Sequence, residues 1–250
     1  MIKTLLFLSM MTTFAVFSQQ NSMEWQLFHP IKKTWLEAGT HNSVQQILIE
    51  SGELPDPFVE ENEALFKKKK KYDWEFNANF KISAEQFQNE FLEIDFPGID
   101  TYASVYLNGK LIFKAENAFH PYRYQIKELV QVGDNNLRVV FTSPVNYQRQ
   151  AFKDRGTKLP APNDVGEIAV SSMSRKAQYQ FGWDWAPRIN TIGFLKPVQI
   201  HAYNHNRVLL AKVDTKSIED KEANVRLAIQ FAVQQNGNVN VKSELFGEFK

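Results

Sequence analysis

The strongest pattern in this chain is alternation of apolar and polar positions over short segments. From residue 70 onward such segments recur at 74–82, 91–96, 103–107, 111–113, 137–141 and 198–202, rich in β-branched and aromatic side chains. Period-two alternation places one set of side chains on a buried face and the other on a wet face, which predicts half-buried strands. Between them stand turn signals: Pro97-Gly98, Asn108-Gly109, Gly133-Asp134-Asn135 and Ser143-Pro144. Asn108-Gly109 lies between Val105-Tyr106-Leu107 and Leu111-Ile112-Phe113, so it predicts a tight type I′ hairpin, both central residues tolerating positive φ. Helical periodicity is weak apart from 43–50. Many short strands with regular turns predict an all-β sandwich.

Residues 144–175 are polar, contain Pro144, Pro160 and Pro162, and show little periodicity. They are expected to form a long loop, of the kind that serves function or stays disordered. Strand-like runs restart at 208–215, 223–234 and 239–246, with Gln235-Asn236-Gly237-Asn238 predicted to turn the last two into a hairpin. Such runs would open a second sandwich, which takes about 100 residues to close. The expected organisation is therefore a leader over 1–18, a first sandwich domain over 19–205, and the start of a second sandwich over 206–250. On this expectation the chain is the amino-terminal part of a longer protein.

The leader is read from Lys3 followed by an uncharged, mostly apolar stretch from Thr4 to Phe17. Val16-Phe17-Ser18 predicts cleavage before Gln19, and the stretch is shorter than the roughly 20 residues a bilayer core requires. An exported protein is expected, in the periplasm, the cell envelope or the medium, with no membrane span. Net charge is +1, so nothing favours nucleic acid as a partner. The run Lys67 to Lys71 is offset by Glu60, Glu61, Glu63, Asp73 and Glu75 and reads as a solvated loop or edge strand. There is no cysteine, so the fold must rest on its core. Aromatics reach 13%, which suits β-sheet cores and surfaces that stack on sugar rings.

No complete catalytic constellation is visible. His201 and His205 are four apart, but they fall in a strand-and-turn pattern, which is poor for a metal. The most unusual segment is 175–188, which gathers Tyr179, Phe181, Trp183, Asp184, Trp185 and three cations. Indole faces cover the apolar side of a pyranose, while a carboxylate accepts hydrogen bonds from its hydroxyls. If extended, the segment points Trp183 and Trp185 one way and Asp184 the other. Taken singly, each indole is expected to pack in the core. Asp184, between them, is expected to contact a ligand rather than pair with Arg175, Lys176 or Arg188.

These residues also carry a resemblance. Arg175-Lys176-Ala177-Gln178-Tyr179, Phe181-Gly182-Trp183-Asp184-Trp185 and Pro187-Arg188 resemble the β-mannosidases of glycoside hydrolase family 2. In the same order stand Leu54-Pro55-Asp56-Pro57-Phe58, Asn62-Glu63, Asp73-Trp74-Glu75-Phe76, Gly98-Ile99-Asp100-Thr101-Tyr102-Ala103, Leu107-Asn108-Gly109 and Pro121-Tyr122-Arg123. The resemblance covers roughly residues 24–203. It implies a jelly-roll, sugar-binding-like domain there, the start of an immunoglobulin-like sandwich over 206–250, and a (β/α)₈ barrel to follow. In such a barrel a Glu pair performs retaining hydrolysis, its carboxyl groups about 5–5.5 Å apart. No catalytic residue falls in this chain. The resemblance further implies a β-mannoside or manno-oligosaccharide substrate, no cofactor or metal, and a sugar contact by Asp184 with Trp183 and Trp185 beside it. The chain departs from the family pattern at Ala186, Leu195, Ala118 and Asn42-Ser43-Val44-Gln45. Other readings are a carbohydrate-binding module without catalysis, and another glycosidase of the family such as a β-galactosidase.

Overall fold

The computed structural model describes residues 23–39, 43–69, 71–164, 168–204, 206–219 and 222–233. The expected leader and the expected turn at 235–238, with the run that follows it, lie outside the described residues. Thirteen strands and four α-helices are described. In chain order they are β1 (Glu24–His29), β2 (Thr34–Gly39), α1 (Val44–Glu50), α2 (Glu63–Lys69), β3 (Trp74–Ile82), α3 (Ala84–Gln88), β4 (Phe91–Phe96), β5 (Ile99–Asp100), β6 (Tyr102–Leu107), β7 (Lys110–Ala115), β8 (Tyr122–Gln125), β9 (Gly133–Thr142), α4 (Pro144–Arg155), β10 (Gly193–Phe194), β11 (Gln199–Tyr203), β12 (Arg207–Glu219) and β13 (Glu222–Ala232). The chain divides into two compact units, one ending at Ala202 and the other beginning at Tyr203.

The first unit is a jelly-roll sandwich. Six strands form an antiparallel sheet in the order β2-β1-β3-β9-β6-β7, and β11-β4-β8 and β10-β5 form smaller sheets. Alternation is what makes β3 an inner strand: Trp74, Phe76, Ala78, Phe80 and Ile82 are buried, and the residues between them are not. Its neighbour β9 repeats the pattern through Leu137, Val139 and Phe141. Phe194 of β10 is the hinge pin of the core. Its ring lies 4.6 Å from Trp25, 5.2 Å from Phe76, 5.4 Å from Phe141 and 6.2 Å from Phe96. Aromatic pairs at these separations add to the burial of their area. The β6–β7 turn has φ of 48° at Asn108 and 80° at Gly109, the geometry expected of a type I′ hairpin.

Three expectations are corrected. The strands do not begin after residue 70, because β1 and β2 pair with each other and β1 continues the sheet onto β3. Residues 144–175 are not one long loop, since 144–155 form a three-turn helix. That helix has almost no apolar face and is fixed by its ends. Ser143 accepts a hydrogen bond from the backbone of Asn146, Pro144 stands in the first turn, and Gly156 closes the helix at φ 72°. Lys67, Lys68 and Lys69 are neither loop nor edge strand. They form the last turn of α2, where cations complement the helix dipole and Glu63 stands in the first turn.

The second unit contains one described feature, an antiparallel ribbon of β12 and β13. Asp214 on β12 is held between Lys212 and Arg226, each at 2.7 Å. No helix among the described residues is long and apolar enough to cross a membrane.

Candidate functional site

In the first unit, two segments far apart in sequence line an open cleft of about 620 Å³. One wall is the segment from Gly182 to Arg188, and the other is built by Pro57, Phe58 and α2.

The first wall is a tight turn. Trp183 and Ala186 form an isolated antiparallel bridge, with the Ala186 amide donating to the Trp183 carbonyl at 3.4 Å. Asp184 and Trp185 therefore occupy the tip. This decides the condition left open in the sequence and corrects one expectation. The segment is not extended, so the two indoles and the carboxylate do not alternate across a strand. Nor do the indoles enter the core: Trp185 is 90% exposed and Trp183 is 51% exposed. The physical reason lies at Gly182, whose φ is 123°. That conformation, open to glycine alone, turns the chain out of the short 3₁₀ helix at Gln178–Phe181 before the indoles are reached. A side chain at this position would also meet the carbonyl oxygen of Asn163 at 2.5 Å.

Buried polar groups fix the turn from both sides. Below its end, the guanidinium of Arg188 pairs with the carboxylate of Asp164, both buried. The other carboxylate oxygen of Asp164 accepts from the amides of Val170 and Ser171, at 2.8 and 3.1 Å. Below its start, the ammonium of Lys176 lies 2.6 Å from Asp100 and donates to the carbonyl of Thr191 at 2.5 Å. Burial pushes the Lys176 ammonium pKa below its ordinary value, against the opposing charge of Asp100. Asp100 also accepts from Gln180 at 3.1 Å and from the Thr191 hydroxyl at 2.9 Å. Gln45, on α1, donates to the carbonyl of Asn190 at 2.7 Å and accepts from the amide of Ile192 at 3.1 Å. A departure from the family pattern is thus a clamp on the segment leaving the site.

The cations named as alternative partners of Asp184 are engaged elsewhere or differently placed. Arg188 is held by Asp164 and Lys176 by Asp100, while Arg175 is exposed. Among the described residues Asp184 has no ion-pair or hydrogen-bond partner. Its carboxylate stands exposed between two exposed indoles, an arrangement able to accept hydrogen bonds from a polyol while apolar faces cover its C–H side.

The second wall is fixed just as locally. Asp56 accepts from the amide of Phe58 at 2.9 Å and, through its carbonyl, from the side chain of Asn62 at 2.9 Å. This turn leaves Phe58 78% exposed. At the start of α2, the carboxylate of Glu63 accepts from the backbone amide of Arg188 at 2.8 Å and pairs with Lys67 at 2.9 Å. The Arg188 amide, then Lys67, hold Glu63 below the usual carboxylate range. Glu63 therefore ties the two walls together.

Sequence reasoning missed Asp164 and the wall-tying role of Glu63. Asn62-Glu63 belonged to the family resemblance but carried no role, and Asp164 lay in the stretch read as loop.

Comparison with known proteins gives a consistent picture. The chain is 30% identical over 188 residues to a probable beta-mannosidase of Caenorhabditis elegans, covering 72% of this chain and 21% of that protein. It is 32% identical over 186 residues to the beta-mannosidase of Capra hircus, again covering 72% of this chain and 21% of the relative. The chain thus spans about a fifth of the length of these curated relatives. The crystal structure of the beta-D-mannosidase from Dictyoglomus thermophilum superposes with a TM-score of 0.77 at 32% identity, covering 86% of this chain and 26% of that one. The exo-chitosanase of Amycolatopsis orientalis shares the fold alone, with a TM-score of 0.56 at 15% identity, over 79% of this chain and 22% of that one. The family described as glycosyl hydrolase 2 galactose-binding domain-like matches residues 18–196. With well over half of its length matched, the chain belongs to that glycosyl hydrolase 2 family.

Proposed function

We propose that this chain is the amino-terminal portion of an exported β-mannosidase, which releases terminal non-reducing β-D-mannose from β-mannosides. The single observation that carries the reading is the exposed Asp184 at the tip of a clamped turn, flanked by two exposed indoles and free of protein partners among the described residues. Relatives named beta-mannosidase at about 30% identity support the same sugar. In this reading the turn projects into the active site of a following barrel, where Asp184 binds the terminal mannose and a pair of Glu residues performs retaining hydrolysis. The first domain contributes recognition and leaves the bond-breaking to the barrel.

Turnover tests this reading. Protein carrying this segment together with a barrel is expected to hydrolyse aryl β-mannosides, and the 250 residues alone to hydrolyse none. A barrel-bearing protein that preferred β-galactosides would overturn the sugar assignment. Turnover by the 250 residues alone, free of host enzyme, would overturn the placement of the catalytic pair. Export is tested by intact mass, with the secreted protein expected to begin at Gln19.

A further inference from the structure

Asp184 and its indoles account for one wall of the cleft, and the other wall has no role in that reading. We propose that Phe58, Glu63 and Lys67 form a second sugar contact, for the neutral hexose joined to the terminal one. The proposal rests on the sugar role of the Trp183–Ala186 turn and adds the next residue of the substrate chain.

Several observations carry it. Phe58 and Trp185, at 78% and 90%, are the two most exposed aromatics among the described residues, ahead of Phe119 at 69% and Tyr179 at 60%. Both line the same cleft, from segments far apart in sequence. Paired aromatic surface around a cleft, in a molecule with a well-filled core, marks a ligand site more than a packing fault. Phe58 is also held out by a turn that spends the Asp56 carboxylate and the Asn62 amide on the backbone around it. The presentation is built into the local structure.

The polar groups fit a polyol. Glu63 offers carboxylate oxygens and Lys67 ammonium protons, 2.9 Å apart on successive turns of one helix. Vicinal hydroxyls, each a donor and an acceptor, complement such a pair. Because Glu63 is bonded to the Arg188 backbone, its position relative to the Asp184 turn is set before any ligand arrives. A volume of about 620 Å³ falls within the range of sites that enclose ligands larger than one sugar ring.

Charge selects the class of sugar. Glu60, Glu63 and Asp184 line the cleft, against Lys67 and an Arg188 already paired with Asp164. An excess of carboxylates repels anionic sugars, so a neutral hexose is the occupant and a uronic acid is disfavoured.

Titrations of the 250-residue chain test the proposal, followed by tryptophan fluorescence and by amide shifts in NMR. The probes are methyl β-mannoside, β-1,4-mannobiose and a mannose disaccharide ending in a uronic acid. Mannobiose is expected to bind at least tenfold tighter than methyl β-mannoside, and the acidic disaccharide at least fivefold weaker than mannobiose. Phe58→Ala and Lys67→Met, both at exposed positions, should abolish the mannobiose advantage and leave methyl β-mannoside affinity unchanged. Equal affinity for mannobiose and methyl β-mannoside in the unaltered chain overturns the second contact, while the Asp184 role stands. A mannobiose advantage that survives both substitutions also overturns it. If Asp184→Asn leaves methyl β-mannoside binding untouched, the underlying reading fails with it; if no sugar binds, the second contact fails as a site of the first unit, while the role of Asp184 within a barrel-enclosed site stands.

Discussion

Asp164 and Arg188 form a buried ion pair that closes the base of the site, and Asp164 does more than neutralise a charge. One carboxylate oxygen meets the guanidinium, and the other receives the amides of Val170 and Ser171. A single side chain thus joins the stretch before the indole-bearing turn to the residue that ends it. A buried pair is weak evidence of net stabilisation, but removing one partner leaves the other charged and unsatisfied.

Asp164→Ala is therefore expected to cost about 3–5 kcal/mol. For a domain of this size that corresponds to a fall in melting temperature of roughly 6–20 °C. Calorimetry on the purified chain checks it. A fall of less than about 2 °C would show that the pair is not what holds the turn.

Gly182 makes a separate prediction. Gly182 and Gly109 both have positive φ, at 123° and 80°, but only Gly182 has a backbone atom within reach of an added Cβ. Gly109→Ala carries the conformational strain alone, on the order of 1 kcal/mol. Gly182→Ala adds a collision with the Asn163 carbonyl, for a total of about 2–4 kcal/mol. Urea midpoints of the two variants should differ in that order. Equal midpoints would mean that the close approach at Gly182 exerts no constraint.

Much of the fold was legible because the buried faces are regular. The ends of β3 and β4 coincide with the alternating runs at 74–82 and 91–96, where inward side chains are apolar with few exceptions. The strands that escaped notice carry a weaker signal in the sequence. On β2 only Ala38 is buried, as befits an edge strand, and on β1 the inward row ends in a buried histidine, His29. Helix α4 buries only Pro144 and Val145, so no periodicity could reveal it, although Ser143, Pro144 and Gly156 were readable as caps. The site divides in the same way. Its composition drew attention to 175–188, but the turn depends on φ at Gly182 and on contacts from Asn163, Asp164 and Glu63, which only tertiary structure brings together.

Glu63 should make part of the stability depend on acid. Hydrogen bonds from the Arg188 amide and Lys67 lower its pKa in the folded state. A lowered carboxylate pKa contributes stability above the unfolded value, about 4.3, and that contribution is lost as pH falls through the folded value. The stability difference between the unaltered chain and Glu63→Gln should be constant at neutral pH and shrink below about pH 4. Urea unfolding from pH 7 to pH 2.5 measures it. A difference independent of pH would indicate that the Glu63 charge contributes nothing to closing the walls.

Asp184 gives the sharpest separation of recognition from stability. Its carboxylate is exposed and has no protein partner among the described residues, so the fold has little to lose when the charge is removed. In a protein that carries the barrel, a carboxylate enclosed with a sugar makes charge-assisted hydrogen bonds, each contributing roughly 1.5–3 kcal/mol. Asp184→Asn keeps the shape and removes the charge together with one acceptor. Loss of one such bond corresponds to about a 10- to 150-fold fall in kcat/KM. Melting temperature should move by less than about 2 °C, because a substitution at an exposed, unpartnered position seldom exceeds about 0.5 kcal/mol. An internal ion-pair role forecasts the reverse, with the folded protein destabilised and its kinetics nearly unchanged. Measuring both quantities on the one variant distinguishes them, and a destabilised Asp184→Asn with near-normal kcat/KM would remove Asp184 from the sugar-binding site.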